Sequence, residues 1–537
     1  MKISIYLWAL IAFFSMNVYG DSTDVVIYGG TPAGITAALQ ASMMGKSVVL
    51  ISPSGHLGGM TSNGLGWVDV NRPQAIGGLA STYFKNVWEY YQSPSSWIWE
   101  KQRLIKGQLR ELHPKDERMW VLEPHVGEKI FDAMVSAANI TVVRGERLNR
   151  TDGVILNDQR ISQITMESGR VFTGKMYIDA TYEGDLMAAS KISYVVGREP
   201  NSLYNETLNG IHPNGAFKNL LKKIDPYVVV GDSSSGLLPR ISPIALGNPG
   251  DGDKAIQAYN YRMCLTDVPE NRLYVDMPSG YDERNYEILF RAIESKVSIK
   301  SFFKLDLLPN HKTDSNNNGP VSTDYVGMSW DYPEADYATR EQIAKEHERW
   351  QRGLLWTLQN HPRVPKAVKH YYAAWGLPKD EFADNNNWPY ELYVREARRM
   401  VSSVVIDEQM VLGHTPVLDS IGLASYNMDS HYVCYTLASS GSLGGDGGLF
   451  KKVKKPYPIS YQAIVPLRTE CENLLVPVCL SASHSAYGSL RMEPIFMILG
   501  QSAGTAASLA IELGVAVQDV PYETLRQRLV ADGQVLE

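Results

Sequence analysis

The sequence predicts an α/β fold in which a Rossmann-like domain, discontinuous in sequence, carries a large inserted α+β domain. Three features predict it. The N-terminal part has a strand–helix–strand pattern with a glycine-rich loop, residues 172–180 read as a strand leading into Gly184 and Asp185, and the C-terminal part joins an apolar strand to a long helix. Because both ends of the chain belong to one α/β unit, the chain between them is an insertion.

The N-terminal feature is one βαβ unit within residues 24–51. Its loop, residues 29–34, would present backbone N–H groups and the partial positive charge of a helix N-terminus to a pyrophosphate. Thr31 interrupts the G-x-G-x-x-G pattern, and Ser52 stands where an acidic ribose ligand is expected. By itself, this motif therefore does not decide whether the chain binds a dinucleotide.

The C-terminal feature combines an apolar strand at residues 473–480 with a helix that begins at Glu493 and runs to about residue 513. Pro494 supports this start, since proline is favoured at the first helical position. The small face of the helix includes Gly500 and would permit close packing of the helix on the sheet.

The inserted region alternates polar loops with amphipathic segments, of which residues 337–358 and 392–411 are the clearest predicted helices. At about 150 residues per domain, the 537 residues correspond to roughly three domains' worth of chain. The predicted boundaries are residues 21–70, 119–192 and 459–537 for the Rossmann-like domain and residues 71–118 and 193–458 for the inserted domain.

Composition excludes several classes of protein. The chain is 44% apolar, which is too high for a disordered protein, and its formal charge of −7 argues against nucleic-acid binding. The spacing of the four cysteines fits no zinc site. Residues 314–319 begin like a calcium loop, but Tyr325 stands where the bidentate carboxylate is required, so we expect no bound metal.

The first twenty residues have the pattern of a signal peptide, with Lys2, an apolar run over residues 3–16 and small or neutral residues before Asp21. We expect cleavage after Gly20 and a secreted or periplasmic protein. No later stretch reaches the length of a transmembrane segment, so no integral membrane segment is expected after cleavage. In an exported chain, the four cysteines could form two disulfides with three possible connectivities.

Motifs distributed over residues 24–530 resemble those of one family. They are DVVIYGGTPAGI, GHLGGMTSNGLGW, LEPHVGEKIF, IDATYEGDLM, QAYNYRMCLT, LPNHKTDSNNNG, LYVREARRM, YNMDSH and SASHSAYGSLRMEPIFMILGQSAGTAA. The sequence resembles the FAD-dependent oxidoreductases of the two-dinucleotide-binding-domain flavoprotein superfamily, in the branch often found beside polysaccharide-degrading enzymes. The resemblance implies FAD as the cofactor and a redox reaction, but no particular substrate.

Matched position by position, the resemblance implies four groups of cofactor contacts. They are Gly29, Gly30, Thr31, Ala33, Gly34 and Ser52 around the pyrophosphate and ribose, Gly58, Gly59, Met60 and Thr61 near the flavin, Gly184 and Asp185 after a later strand, and Glu493 and Gly500 on the C-terminal helix. Covalent attachment of the flavin ring to His56 is an open alternative.

Three residues are predicted to be catalytic. A reduced flavin is negatively charged near N1 and the C2 carbonyl, so Arg491 and the N–H groups after Glu493 are expected to stabilise it. The alternative for Arg491 is an ion pair with Glu493. Removing a hydride beside a hydroxyl also requires a base, for which His484 is the first candidate and His431 the second.

Four residues are expected to contact the substrate. Lys312, Asp314 and Asn316 belong to a polar loop, for which a hydrogen-bonded surface loop is the alternative interpretation. Asp429 lies close to His431 in sequence and is expected to line the same pocket.

The sequence therefore predicts an exported FAD-dependent oxidoreductase. The expected reaction is hydride transfer from a hydroxylated small molecule to FAD, with an unidentified electron acceptor, and the resemblance points to carbohydrate-derived substrates. A flavin monooxygenase and a flavin-retaining binding protein without turnover are the alternatives. A disulfide reductase is disfavoured, because no C-x-x-C lies near the flavin segments.

Overall fold

The computed structural model describes residues 23–103, 116–213, 218–243, 247–296, 298, 302–319, 321–438 and 440–537. The predicted signal peptide lies outside the described residues. The α-helices are α1 (Pro32–Met43), α2 (Gly59–Ser62), α3 (Gly78–Tyr90), α4 (Pro124–Ala137), α5 (Asp185–Ala189), α6 (Lys218–Leu221), α7 (Glu287–Glu294), α8 (Tyr337–Asn360), α9 (Lys366–Ala373), α10 (Glu408–Val411), α11 (His484–Leu490), α12 (Glu493–Leu513) and α13 (Tyr522–Ala531).

The strands are β1 (Thr23–Tyr28), β2 (Val48–Ser52), β3 (Thr141–Arg144), β4 (Val154–Asn157), β5 (Arg160–Thr165), β6 (Val171–Phe172), β7 (Gly174–Asp179), β8 (Tyr194–Val195), β9 (Tyr227–Val229), β10 (Asp232–Leu237), β11 (Met263–Thr266), β12 (Arg272–Leu273), β13 (Asp306–Leu308), β14 (Lys312–Ser315), β15 (Leu377–Pro378), β16 (Arg399–Met400), β17 (Ser420–Ala424), β18 (Met428–Ser430), β19 (Cys434–Leu437), β20 (Leu443–Asp446), β21 (Leu449–Lys451), β22 (Tyr457–Ser460) and β23 (Leu474–Leu475).

Five strands form one parallel sheet in the order β23–β7–β1–β2–β3. Val25, Val26 and Ile27 of β1 are all fully buried, which is typical of a parallel strand covered on both faces. The sheet brings together the N-terminal βαβ unit, residues 174–179 and the C-terminal strand. This confirms the predicted α/β fold with its parallel sheet, whereas the division into domains stays a prediction.

Helices α1 and α12 pack so closely that side chains are excluded from parts of the contact. A Cβ at Gly500 would overlap the Ala33 carbonyl oxygen, and Gly504, one turn later, crowds the α1 backbone in the same way. The Thr36 hydroxyl donates to the Met497 carbonyl at 2.8 Å across the interface. The small residues of α12 thus serve a helix–helix contact, where the sequence suggested helix–sheet packing.

Helix α12 is also, among the described residues, the one helix long and apolar enough to cross a bilayer. In the structure, 94% of its apolar window is buried inside the protein. Such burial is typical of a core helix, and here it results from packing on α1 and the sheet.

The region assigned to the insertion contains mainly short antiparallel pairs, a three-stranded sheet β11–β14–β13 and the long helix α8. Helix α8 confirms the helix predicted at residues 337–358. The helix predicted at 392–411 is wrong, because only α10 and the two-residue β16 form there. Arg398 and Arg399 in this segment form ion pairs with the buried carboxylates of Asp185 and Glu199.

All four cysteines, Cys264, Cys434, Cys471 and Cys479, are buried and free, so neither disulfide considered for an exported chain is formed. Burial raises the pKa of the Cys264 and Cys479 thiols well above its ordinary value. Since the thiolate is the reactive form, these thiols are chemically quiet.

Replacing Gly500 with Ala is expected to lower the free energy of unfolding by about 2 kcal/mol. Overpacking a core costs about 1–3 kcal/mol, and the added Cβ meets the α1 backbone, which cannot rotate away. Gly55→Ala is the matched control, because nothing lies within 4 Å of its Cβ position. Urea denaturation measures both variants, and equal stabilities would contradict the close contact.

Candidate functional site

A cleft of about 550 Å³ opens at the carboxyl ends of β1, β2 and β7. In open α/β sheets, this edge is where ligands bind. Residues that line the cleft include Gly29, Gly30, Thr31, Ser52, Gly59 and Asp185 from the predicted cofactor segments and Tyr261, Arg340, Tyr390 and Glu391 from the inserted region.

The glycine-rich loop between β1 and α1 leaves no room for side chains. Gly29 has φ 122°, and a Cβ at Gly34 would overlap the Gly29 carbonyl oxygen. Thr31 is the N-cap of α1: its hydroxyl accepts from Gly34 N at 3.3 Å and donates to the Ala180 carbonyl at 2.7 Å. The loop therefore presents the α1 N-terminus, with Ala33 in its first turn, to the cleft, as a pyrophosphate requires.

Ser52 ends β2 at the edge of the cleft, in the position expected for a ribose contact. Its hydroxyl donates to the His56 carbonyl at 3.3 Å, and a Cβ at Gly30 would overlap it. A side chain longer than serine would collide with the loop at its present position. Close packing between the ends of β1 and β2 therefore explains why a serine, and not the expected acidic residue, stands at position 52.

The predicted flavin segment forms the short helix α2. Gly58 and Gly59 have φ of 100° and 46°, in the left-handed region that favours glycine. Gly58 N donates to the Gly30 carbonyl at 2.8 Å, which ties this segment to the pyrophosphate loop. Met60 N donates to the Tyr182 hydroxyl at 3.0 Å, and this hydroxyl occupies the space that a side chain at Gly59 would need.

Glu493, the first residue of α12, is buried, and no cationic side chain of the described residues pairs with it. It accepts from the Tyr182 hydroxyl at 2.9 Å and from the Thr61 hydroxyl at 3.3 Å. Burial raises its pKa to about 8, so the carboxyl is protonated at neutral pH. A neutral acid thus joins α12 to the flavin segment.

His56 stacks on Tyr390 with ring centroids 3.4 Å apart, and its Nδ1 lies 3.0 Å from Glu128. The Nε2 of His56 lies 3.4 Å from Asp384. Both ring nitrogens therefore have acidic neighbours at the cleft wall, a setting that suits a fixed, non-covalent side chain.

Asp185 follows Gly184, whose φ of 68° turns the chain from β7 into α5. Its carboxylate pairs with Arg150 at 3.0 Å, Arg340 at 2.7 Å and Arg398 at 2.9 Å. Burial acts to raise the pKa of Asp185, but the three guanidinium groups outweigh it and hold the pKa below its ordinary value. Asp185 therefore anchors the inserted region at the cleft.

Two further, partly exposed carboxyls line the cleft and were not predicted from the sequence. Burial raises the pKa of Glu391 to about 7, and it also raises the pKa of Glu183. Glu183 stands in the quoted motif IDATYEGDLM, which could have pointed to it, whereas nothing around Glu391 in sequence marks it as a cleft residue.

His484 lies at the start of α11 and is 2% exposed. Its Nδ1 is 2.8 Å from Glu396 Oε2, and its Nε2 is 3.2 Å from the Ser430 hydroxyl. Both ring nitrogens of the first candidate base are therefore engaged. Burial raises the pKa of Glu396, but His484 and Arg399 outweigh burial and lower it to about 2.

His431, the second candidate, follows β18. Its Nδ1 is 2.6 Å from Asp324 Oδ2, whereas its Nε2 has no hydrogen-bond partner in the described part of the chain. The side chain is 11% exposed. Burial, together with the nearby charge of Arg395, lowers the pKa of His431 despite the carboxylate of Asp324, so the imidazole is neutral at pH 7.

Arg491 is 3% exposed and does not form the ion pair with Glu493, whose oxygens are bound by hydroxyls. Its guanidinium donates to the Tyr393 hydroxyl at 2.9 Å and to the Asp429 carbonyl at 3.1 Å. The Asp429 carboxylate lies 3.8 Å away and is partly exposed. The structure thus brings Arg491 against Asp429, which lies two residues before His431 in the chain.

The predicted polar loop at residues 312–316 is wrong in its main part, because Lys312–Ser315 is the buried strand β14. Lys312 Nζ lies 2.6 Å from Glu381 and 2.9 Å from Glu123, and Asp314 receives two bonds from Arg262. These buried ion pairs leave neither side chain free for a substrate. Asn316 is partly exposed beyond the strand end.

Gly500 is also placed away from its predicted role. It lies two turns into α12 against the Ala33 carbonyl, where it permits helix packing. Of the C-terminal helix, only the residues around Glu493 reach the flavin segment.

Replacing Glu493 with Gln is expected to change how stability depends on pH. The ordinary pKa of 4.5 applies to the unfolded chain and about 8 to the folded one, so the folded protein binds one more proton between these values. The free energy of unfolding of the wild-type protein therefore decreases by up to about 1.4 kcal/mol per pH unit as the pH rises from 5 to 8.

The Gln variant lacks this loss, so its stability relative to wild type rises toward pH 8. Urea denaturation at several pH values measures the difference. Glu512→Gln, at the more exposed end of the same helix, is the control and follows wild type. Parallel curves for wild type and the Glu493 variant would show that Glu493 is ionised in the folded protein.

Solved flavoproteins share only part of this structure. L-proline dehydrogenase from P. horikoshii is 12% identical, over 34% of this chain and 59% of that one, with a TM-score of 0.23. L-amino acid deaminase from Proteus vulgaris is 11% identical, over 37% and 55%, with a TM-score of 0.24. A flavin monooxygenase from Stenotrophomonas maltophilia is 16% identical, over 30% and 38%, with a TM-score of 0.20.

The chain covers less than two thirds of each of these solved proteins, and no curated protein matches it. The family model described as FAD dependent oxidoreductase, in contrast, matches residues 24–529. That range contains the parallel sheet, the crowded glycine loop and the flavin segment described above. The chain therefore belongs to the FAD-dependent oxidoreductase family and is an oxidoreductase with FAD as its cofactor.

Proposed function

We propose that this protein oxidises a hydroxylated small molecule at a C–H bond beside the hydroxyl, with His431 as the base. Carbohydrate-derived compounds are the first candidates, through the resemblance of the motifs to the polysaccharide-associated branch. The N-terminal pattern supports action outside the cytoplasm. The observation that carries the proposal is the mostly buried His431, whose Nδ1 is fixed by a carboxylate and whose Nε2 has no hydrogen-bond partner among the described residues.

The contacts of His431 suit it to accept a proton. The bond from Nδ1 to Asp324 at 2.6 Å fixes the tautomer and leaves Nε2 as the acceptor. When Nε2 takes up a proton, the ring becomes positive, and Asp324 compensates the charge at hydrogen-bond distance. Arg395, 3.0 Å from the same aspartate, keeps Asp324 ionised.

When bound, FAD supplies the acceptor for the two electrons that leave the carbon as a hydride. His431 Nε2 accepts the hydroxyl proton, so the substrate C–O bond becomes a carbonyl as the C–H bond breaks. The N-terminus of α12 lies beside the flavin segment, where Glu493 accepts from Thr61, and it offers positive charge there. Arg491, two residues before Glu493, is proposed to add positive charge to the same region. Glu493 adds no negative charge to this region, because it is protonated.

His484 is proposed as a positioning residue. Its Nε2 is 3.2 Å from the hydroxyl of Ser430, which immediately precedes His431. Gln257 links the two histidines, because its amide donates to Glu396 at 2.9 Å and its oxygen accepts from His431 N at 3.1 Å. The Glu396–His484 pair thereby fixes the backbone that carries the base.

His431→Asn is expected to slow anaerobic reduction of the bound flavin by about 10²–10⁴-fold, the usual contribution of a general base. Asparagine retains a donor toward Asp324 but has no basic nitrogen. In wild type, the reduction rate increases with pH as His431 loses its proton. Because the pKa of His431 is lowered, the midpoint of this increase lies below 6.5, the ordinary pKa of histidine. The Asn variant lacks this rise. Rapid-mixing absorbance measurements with a panel of sugars and polyols record both.

His484→Asn is the matched comparison, since it keeps the donor toward Glu396. It is expected to slow reduction less and to retain the pH dependence. Unchanged kinetics in His431→Asn would remove its role as the base. A yellow wild-type protein that no hydroxylated compound bleaches would instead favour a binding protein without turnover.

A further inference from the structure

Three buried arginines surround the ring of Tyr393. The guanidinium carbons of Arg262, Arg395 and Arg491 lie 5.9, 4.7 and 6.0 Å from its centroid. Tyr393 follows Leu392 and Arg262 follows Tyr261, and both preceding residues line the cleft. The arginines therefore surround a ring whose preceding residue, Leu392, lines the cleft.

The three guanidinium groups differ in how well they are compensated. Arg262 makes two bonds of 2.7 and 2.6 Å to Asp314 and is fully paired. Arg491, in contrast, bonds only neutral oxygens, one phenolic and one of the backbone. Arg395 bonds two neutral oxygens and shares Asp324 with His431.

On each of the less compensated arginines, one donor has no hydrogen-bond partner in the part of the chain that the structure describes. The Nε atoms of Arg395 and Arg491 are both buried and form no hydrogen bond. Neither residue is more than 3% exposed. A buried guanidinium is costly unless it is paired and hydrogen-bonded, so two such donors in one place call for an anionic acceptor.

Partly exposed polar groups give access to this position. Asp429 is 27% exposed and His431 is 11% exposed, and Asp69 and Tyr426 are also partly exposed. Burial raises the pKa of Asp69 despite the nearby charge of Arg262. The carboxylate of Asp429 stays 3.8 Å from Arg491, beyond hydrogen-bond distance, and can accept from ligand hydroxyls.

We propose that Arg395 and Arg491 bind a carboxylate of the substrate, so that the oxidised molecule is a hydroxy acid such as a sugar acid. This inference rests on the proposed function. One carboxylate supplies a single negative charge and planar acceptors for both Nε–H groups, whereas a phosphate ester brings more charge than the deficit. Asp324 joins Arg395 to His431, so the bound carboxylate and the hydroxyl that loses its proton belong to one small molecule.

The test uses a probe that binds without reacting. 2-Hydroxyisobutyrate carries a carboxylate and a hydroxyl, but its carbinol carbon has no hydrogen to transfer. Its amide is the uncharged match. Binding of each to the FAD-loaded enzyme is measured by calorimetry and by perturbation of the flavin absorbance at constant ionic strength. Wild type is expected to bind the acid at least about tenfold more tightly than the amide.

Arg395→Gln and Arg491→Gln are each expected to reduce this preference to within about twofold. Arg395→Lys and Arg491→Lys keep the charge but lose the Nε donor, and each is expected to keep part of the preference for the acid. They provide the test if the Gln variants do not fold. Arg291→Gln is the control, because Arg291 is equally buried but pairs with Glu287 and Asp225. It is expected to bind both probes as wild type does.

The inference would be overturned if wild type bound the acid and the amide equally. It would also be overturned if the variants of both arginines kept the full preference for the acid. Tighter binding of isopropyl phosphate, which has no carboxylate, than of the acid would likewise overturn it in favour of a phosphate site. If glucose but not gluconate reduced the flavin, and this reduction still required His431, the carboxylate site would be rejected. The proposed oxidation would be retained. Arginine-dependent binding of the acid without reduction by any hydroxy acid would reject the oxidation alone.

Discussion

The contact between α1 and α12 is the constraint on which the rest of the site depends. The two helices come from opposite ends of the chain, and glycine at residue 500 lets their backbones touch. This contact fixes the start of α12 relative to the sheet, and hence places Glu493 against Thr61 and Tyr182. Because the glycine loop begins α1 and the flavin segment bonds to that loop, one helix pair aligns the cofactor segments.

The site contains buried acids of two kinds, and their neighbours decide which are charged. Asp185 faces three guanidinium groups and is ionised, whereas Glu493 faces only hydroxyls and keeps its proton. The ionised acid holds the inserted region in place, since a buried ion pair is costly to break from one side. The neutral acid adds no negative charge beside the flavin segment, where reduction of a flavin adds such charge.

The sequence predicted those features that depend on residues close together in the chain. It did not predict those that depend on partners far apart in the chain. The glycine loop, β1, α1 and α12 follow from short patterns, because turn geometry and helix starts depend on neighbouring residues. The strand at Lys312–Ser315 looked like a loop because its polar side chains are buried by partners far away in sequence. His484 and His431 could not be ranked for the same reason, since Glu396 lies 88 residues and Asp324 107 residues away.

The shared position of Asp324 couples ligand charge to proton transfer. In the free protein, this one carboxylate must compensate Arg395 and also fix His431. When His431 gains a proton, the imidazolium requires that same charge, and Arg395 is left with less. A carboxylate bound at Arg395 and Arg491 would relieve this competition, since it compensates the arginines and leaves Asp324 to the imidazolium. The base would then be strongest when an acid occupies the site, so that substrate charge contributes to catalysis as well as to binding.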